Sequence, residues 1–127
     1  MARVVHFEVH AAKPESTARF YESVFGWKFQ HIPEIDYWMI STGEGPGIDG
    51  GMLRRRGDPP VQGQAVNAHM CTIGVDDIDA SMDSALKAGA TLALPKMAIP
   101  NTGYVAYLVD PEGNIFGVFQ SDLNAKM

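Results

Sequence analysis

In Val4-Val5-His6-Phe7-Glu8-Val9-His10, apolar and polar residues alternate from Val5 onward. Side chains alternate across a β-strand, so Val5, Phe7 and Val9 face one side, and His6, Glu8 and His10 face the other. One face can pack on a core. The other carries a row of residues able to bind a metal, move a proton or hold a polar ligand. The elements around the strand decide what that row is for.

Immediately downstream, Pro14 suits a first helical position and Glu15 a first turn. Ala18, Phe20, Tyr21, Val24 and Phe25 recur at near-helical spacing as an apolar stripe, and Gly26 ends the helix. Trp27–Ile32 reads as a strand ended by Pro33. Tyr37–Thr42 is a third strand, rich in aromatic and β-branched residues. Gly43–Gly47 is a turn cluster. Ile48–Arg55 is a fourth strand, and its Gly50-Gly51 pair predicts a bulge or a close backbone approach. Residues 57–66 hold two prolines and two glycines and read as a linker.

The same order then returns. Asn67–Val75 is a strand, and Asp76 or Asp77 caps a helix with the apolar stripe Ile78, Met82, Ala85 and Leu86. Gly89 ends it. Thr91–Leu94 is a strand interrupted by Pro95, and Gly103–Val109 is the next. Asp110-Pro111-Glu112-Gly113 is a tight turn. Asn114–Gln120 is the last strand. The fold class is α+β: two tandem βαβββ modules, about 3–56 and 67–121, in a single domain over residues 1–127. Their strands are expected to form a curled mixed sheet, a cup with the helices outside.

Composition narrows the function. The formal net charge of −5 argues against nucleic acid or an anionic membrane as partner. No apolar run approaches the ~18 residues of a membrane helix. Arg54-Arg55-Arg56 reads as a solvated strand end. The single cysteine, Cys71, excludes an intrachain disulfide and fits a reducing, cytoplasmic location; its apolar surroundings predict burial.

Several segments together resemble the vicinal oxygen chelate superfamily, which includes glyoxalase I, bleomycin-resistance proteins and extradiol dioxygenases. They are Val4–Val9, Phe20–Trp27, Ile73–Ile78, Lys87–Ala90 and Asp110–Asn114. Gly45–Gly51 is similar to the glyoxalase-related branch. The resemblance implies a homodimer. It also implies four metal ligands from the first and last strands of the modules, holding a divalent ion that stabilises an anionic intermediate.

Those ligand positions fall on His6, on Gly51 or Met52, on Met70 and near Gly117. Only His6 is a donor, so the set is incomplete and no cofactor is expected; if a metal binds, His6 is its ligand. Glu8 shares the His6 face and could add a carboxylate. A bulge that turned His69 inward would be another route.

The expected function is therefore binding of a small amphipathic or aromatic molecule in an apolar cup. Its candidate lining is Met52, Met70, Thr72 and Phe119, with Tyr37 and Tyr104 at the mouth. The alternative is a lyase or isomerase acting on a small carbonyl compound, with His6 and Glu8 as the catalytic pair. His10 is placed on the rim and His31 on the surface.

Overall fold

The computed structural model describes residues 2–126 and has the α+β composition expected, two βαβββ modules in succession. In module one, β1 (Arg3–Ala11) leads into α1 (Pro14–Phe25), β2 (Lys28–Ile32), β3 (Tyr37–Ser41) and β4 (Asp49–Arg54). The strands lie in the order β2-β3-β4-β1; β1 runs parallel to β4, and the other pairs are antiparallel. Phe7, Val9 and Ala11 from β1 pack with Ala18, Trp38, Ile40 and Met52, and Trp27 and Phe29 close the edge of this cluster. Full burial of a side chain such as Ile40 or Met52 contributes about 1.5–3 kcal/mol, so this face holds the module together.

Helix α1 begins on Pro14 and ends at Gly26, whose left-handed backbone (φ 73°) lets its N–H reach the Glu22 carbonyl at 3.0 Å. Its apolar stripe is not buried as expected. Ala18 is in the core, whereas Phe20, Val24 and Phe25 are 54%, 55% and 61% exposed. At ~100° per residue, Phe20 and Val24 point well away from Ala18, and Phe25 lies on the last turn. Tyr21 is instead stacked on Trp27, with centroids 4.9 Å apart and planes 8° from parallel.

The chain between β2 and β3 forms a 3-10 turn over Pro33–Ile35 and leaves through Asp36 in the left-handed region (φ 48°). Gly50 and Gly51 do not form a bulge, because β4 keeps unbroken register with β1 through both. The close approach is real, but this chain's own side chains make it. A Cβ on Gly50 would lie 2.6 Å from the Phe7 carbonyl oxygen, and one on Gly51 would land on the Tyr37 hydroxyl.

Residues 57–69 contain neither helix nor strand. Module two follows with β5 (Met70–Gly74), α2 (Ile78–Lys87), β6 (Thr91–Ile99), β7 (Gly103–Val109) and β8 (Ile115–Ser121), in the order β5-β8-β7-β6. Strand β5 is shorter than expected, since residues 67–69 belong by contact with module one. Conversely, the first residues of β1, through Val5, belong by contact with module two.

Asp77 caps α2, its carboxylate accepting from the Ala80 N–H at 3.0 Å. Ile78, Ala106, Leu108 and Val118 form the core, with Met82, Ala85, Tyr104 and Phe116 against it. Leu86 departs from the predicted stripe and is 43% exposed. Pro95 does not end β6. The strand lies at the outside of its order, where a missing N–H is tolerated, and the pairing with β7 shifts register once before Pro95 and once across it. In the turn before β8, Asp110 Oδ1 accepts from the N–H groups of Glu112 and Asn114 at 2.9 and 3.0 Å.

Candidate functional site

Strand register decides which side chains can meet. In module one, Glu8 lies opposite Gly51 and Gly51 opposite Met39; His10 lies opposite Leu53 and Leu53 opposite Tyr37. His6, Glu8, Tyr37, Met39 and Gly51 therefore share the face away from the core. On it, the Tyr37 hydroxyl sits between the two residues of the expected pair. It donates to Glu8 Oε2 at 3.1 Å and stands 3.1 Å from His6 Nε2. His6 Nε2 is 3.7 Å from the same Glu8 oxygen, too far for a hydrogen bond but close enough for electrostatic attraction.

Since the phenol proton points to Glu8, the proton between His6 and Tyr37 belongs to the imidazole. The three groups form a directed chain, imidazole to phenol to carboxylate. Gly51 makes room for it, as any side chain there would displace the Tyr37 ring.

Glu8 is only 7% exposed. Burial pushes its carboxyl pKa up, but interactions with His6 and Tyr37, reinforced by the charge of His10, outweigh burial and hold it below the usual glutamate value. Glu8 is accordingly an anion at neutral pH with a donor fixed on it. The His6 side chain is one-third exposed, so part of this cluster is open to a ligand.

Module two repeats the device in altered form. Thr72 lies opposite Gly117, and Gly117 opposite Tyr107. A Cβ on Gly117 would come within 2.8 Å of Thr72 Oγ1 and 3.2 Å of the Tyr107 ring. In both modules a glycine of the last strand accepts a tyrosine from the strand before it and a polar side chain from the first strand. Tyr107 was missed in the sequence, where it is one more aromatic in an apolar strand; the signal was the glycine opposite it.

Met70 and Phe119 share the Thr72 face by alternation, and Met70 and Thr72 are buried at 8% and 3% exposure. Two other lining residues are on the wrong side. Met52 pairs with Val9 and Trp38, not with Glu8, and is fully buried in the core beneath α1. Tyr104 alternates with Ala106 and Leu108 and packs on the α2 side; its hydroxyl donates to the Lys126 carbonyl at 3.5 Å, and the Lys96 ammonium lies 4.8 Å above its ring.

The histidines divide as well. His69 does not turn in through a bulge, because β5 begins after it. It stacks on Phe7 at 5.8 Å and meets the Tyr21 hydroxyl at 3.2 Å. His31 is exposed but not idle, stacking on Trp38 at 4.1 Å and contacting Asp36 at 3.3 Å. Arg54 pairs with Asp36 at 3.0 Å, which fixes the start of the basic run. Cys71 is exposed rather than buried.

For a divalent ion, His6 and Glu8 offer two donors, and both are engaged by Tyr37. Among the described residues, no group of three or more His, Cys, Asp or Glu side chains converges. Among the described residues, no helix is long and apolar enough to cross a membrane.

A family model described as a glyoxalase-like domain matches residues 5–119. The chain belongs to the glyoxalase-like family. This glyoxalase-like chain is 24% identical over 118 residues to the Mycobacterium bovis protein named "Putative glyoxylase CFP32", covering 91% of its own length and 44% of that protein. It thus spans less than half of the curated relative.

Among solved structures, a glyoxalase/bleomycin resistance protein/dioxygenase superfamily member from Vibrio splendidus matches with a TM-score of 0.66 at 16% identity, over 96% of this chain and 100% of that one. A methylmalonyl-CoA epimerase in complex with methylmalonyl-CoA and NH4+ matches with a TM-score of 0.63 at 16% identity, over 99% of both chains. At these identities the likeness is one of fold. Such a scaffold can carry many chemistries, so the likeness assigns no activity.

Proposed function

We propose that this glyoxalase-like chain binds a small amphipathic or aromatic molecule without a resident divalent metal, the ligand's polar end meeting His6, Tyr37 and Glu8. The observation that carries the reading is the Tyr37 hydroxyl over Gly51. It stands where the family resemblance would put a metal ligand, and it hydrogen-bonds both candidate donors. The partly exposed His6 imidazole supplies a point of contact, and Met39, 52% exposed on the same face, supplies an apolar one. Met70, Thr72 and Phe119 are assigned to the apolar lining on the module two face. A homodimer and a cytoplasmic location complete this reading.

The competing reading is a lyase or isomerase acting on a small carbonyl compound. Glu8 would take a proton beside the carbonyl, with Tyr37 and His6 adjusting their hydrogen bonds. A buried carboxylate within reach of a phenol favours it. The lowered Glu8 pKa counts against it, since a general base works best with a pKa near the working pH.

Metal analysis of purified protein, followed by NMR titration with a panel of small aromatic acids, phenols and carbonyl compounds, separates the two. The binding reading expects no stoichiometric divalent metal, saturable shifts at His6 and Tyr37, and weaker binding in Tyr37→Phe and His6→Ala. Tight stoichiometric metal, or ligand binding untouched by His6→Ala, would end it. Turnover of a carbonyl compound abolished by Glu8→Gln would move the assignment to the enzyme.

A further inference from the structure

Module one contains a cavity of about 210 Å³ that the His6–Tyr37–Glu8 cluster does not use. It lies between α1 and the segment leading to β5, and its lining includes Val9, Thr17, Tyr21, Arg55, Asn67 and His69. Val9 of the core face of β1 and the neighbouring His10 both border it, whereas His6, Glu8 and Tyr37 do not. A void of ~150 Å³ holds benzene, so this one has room for a ligand of about that size or somewhat larger.

The lining has a definite electrostatic character. Among the described residues, no carboxylate lines the cavity. Arg55 contributes a half-buried guanidinium, and its Nη2 donates to the His10 carbonyl at 3.0 Å. A guanidinium has five N–H donors, so the carbonyl leaves several to spare. Among the described residues, no carboxylate stands within ion-pair distance of it. A positive charge held at a cavity wall without a counter-ion is a built preference for an anion.

The remaining polar groups support the same choice. Thr17, Tyr21 and Asn67 bring hydroxyl and amide donors. The His69 ring is held between Phe7 and Tyr21, which fixes one wall and partly desolvates it. Tyr21 is itself held by stacking on Trp27 and by its contact with His69. Val9 and the faces of these rings are apolar and can take a short carbon skeleton.

We infer that this cavity is a second ligand site, for a small organic oxyanion whose negative group pairs with Arg55 and whose carbon part lies against Val9 and Tyr21. It goes beyond the ligand reading of the His6 face and uses none of His6, Tyr37 and Glu8. A carboxylate and a phosphate present the same chemistry to Arg55, and the test distinguishes them.

The experiment is a titration of the intact chain, followed by backbone amide NMR, with three probes: benzoate, inorganic phosphate and neutral benzamide. The site predicts saturable shifts of Thr17, Tyr21, Asn67 and His69 with benzoate, at least tenfold weaker for benzamide. Saturation by phosphate, with or without benzoate, also supports an oxyanion site and identifies the phosphate source. Arg55→Gln should weaken the anion at least tenfold.

Should that variant unfold, two others carry the test. Asn67→Asp, at an exposed position, puts a competing carboxylate at the wall and should abolish binding. Arg55→Lys keeps the charge without the fork and should bind more weakly than the native chain. The proposal is overturned if neither anion gives saturable shifts at these residues, if benzamide binds as well as benzoate, or if Asn67→Asp binds the anion as the native chain does.

Discussion

At the scale of single residues, the informative pair is Gly51 and Tyr37. The glycine has no Cβ because the tyrosine hydroxyl occupies that space, so the two positions are coupled. Gly51→Ala should destabilise the chain by about 1–3 kcal/mol through overpacking, read as a lower denaturation midpoint. In a Tyr37→Ser background the same alanine should cost far less, so a double-mutant cycle should not be additive. Equal costs in both backgrounds would refute the contact.

Glu8 gives a prediction of different kind. Its folded-state pKa lies below the ordinary glutamate value of 4.5, so its ionised form is favoured by folding. That contribution is fully present above about pH 4.5 and is lost as pH falls through the lower folded value. Denaturation from pH 7 to 3 should show a steeper acid loss in the native chain than in Glu8→Gln. Identical slopes would mean that the Tyr37 and His6 contacts do not favour the carboxylate. The His6 and Glu8 face was legible from alternation alone. The placement of Tyr37 between them was not, since it depends on cross-strand register and on the space left by a glycine in a third strand.

At the scale of elements, capping and turn chemistry were the most legible signals. Pro14, Gly26, Asp77 and the Asp110–Gly113 turn act through local backbone geometry, and each stands where the chain changes direction. Asp77→Ala should cost about 1 kcal/mol by removing the acceptor for the Ala80 N–H, measured as a shift in thermal midpoint. No shift would show that another group takes over the cap.

Facing was less legible than existence. Met52 was expected to line the cup and Tyr104 to stand at its mouth, but one residue of offset sends a strand side chain to the opposite face. Pro95 misled because a proline breaks an interior strand but not an outer one, and strand order is a non-local property. The helical stripe of α1 misled because regular spacing does not reveal how much of the helix the sheet covers.

At the scale of the whole molecule, the repeat of two βαβββ units was readable because each carries its own punctuation, and the order of elements repeats accordingly. The exposed side chains of α1 make the homodimer testable. Phe20, Val24 and Phe25 form an apolar patch on one short helix, and such patches mark contact surfaces. Sedimentation of the native chain should show a dimer that Phe20→Ser with Val24→Ser weakens at least tenfold while leaving thermal stability of the isolated chain nearly unchanged. A native monomer at all concentrations would remove the dimer from the proposal.

The tyrosine lodged over Gly51 also constrains how the chain can change by descent. A histidine or glutamate introduced at position 51, the simplest step toward another donor beside His6, would strike the Tyr37 ring before it could serve. Tyr37 would have to shrink first, and that step alone removes the hydroxyl on which His6 and Glu8 both rely. Each order of substitution therefore passes through an impaired intermediate, and the two positions hold one another in place across generations.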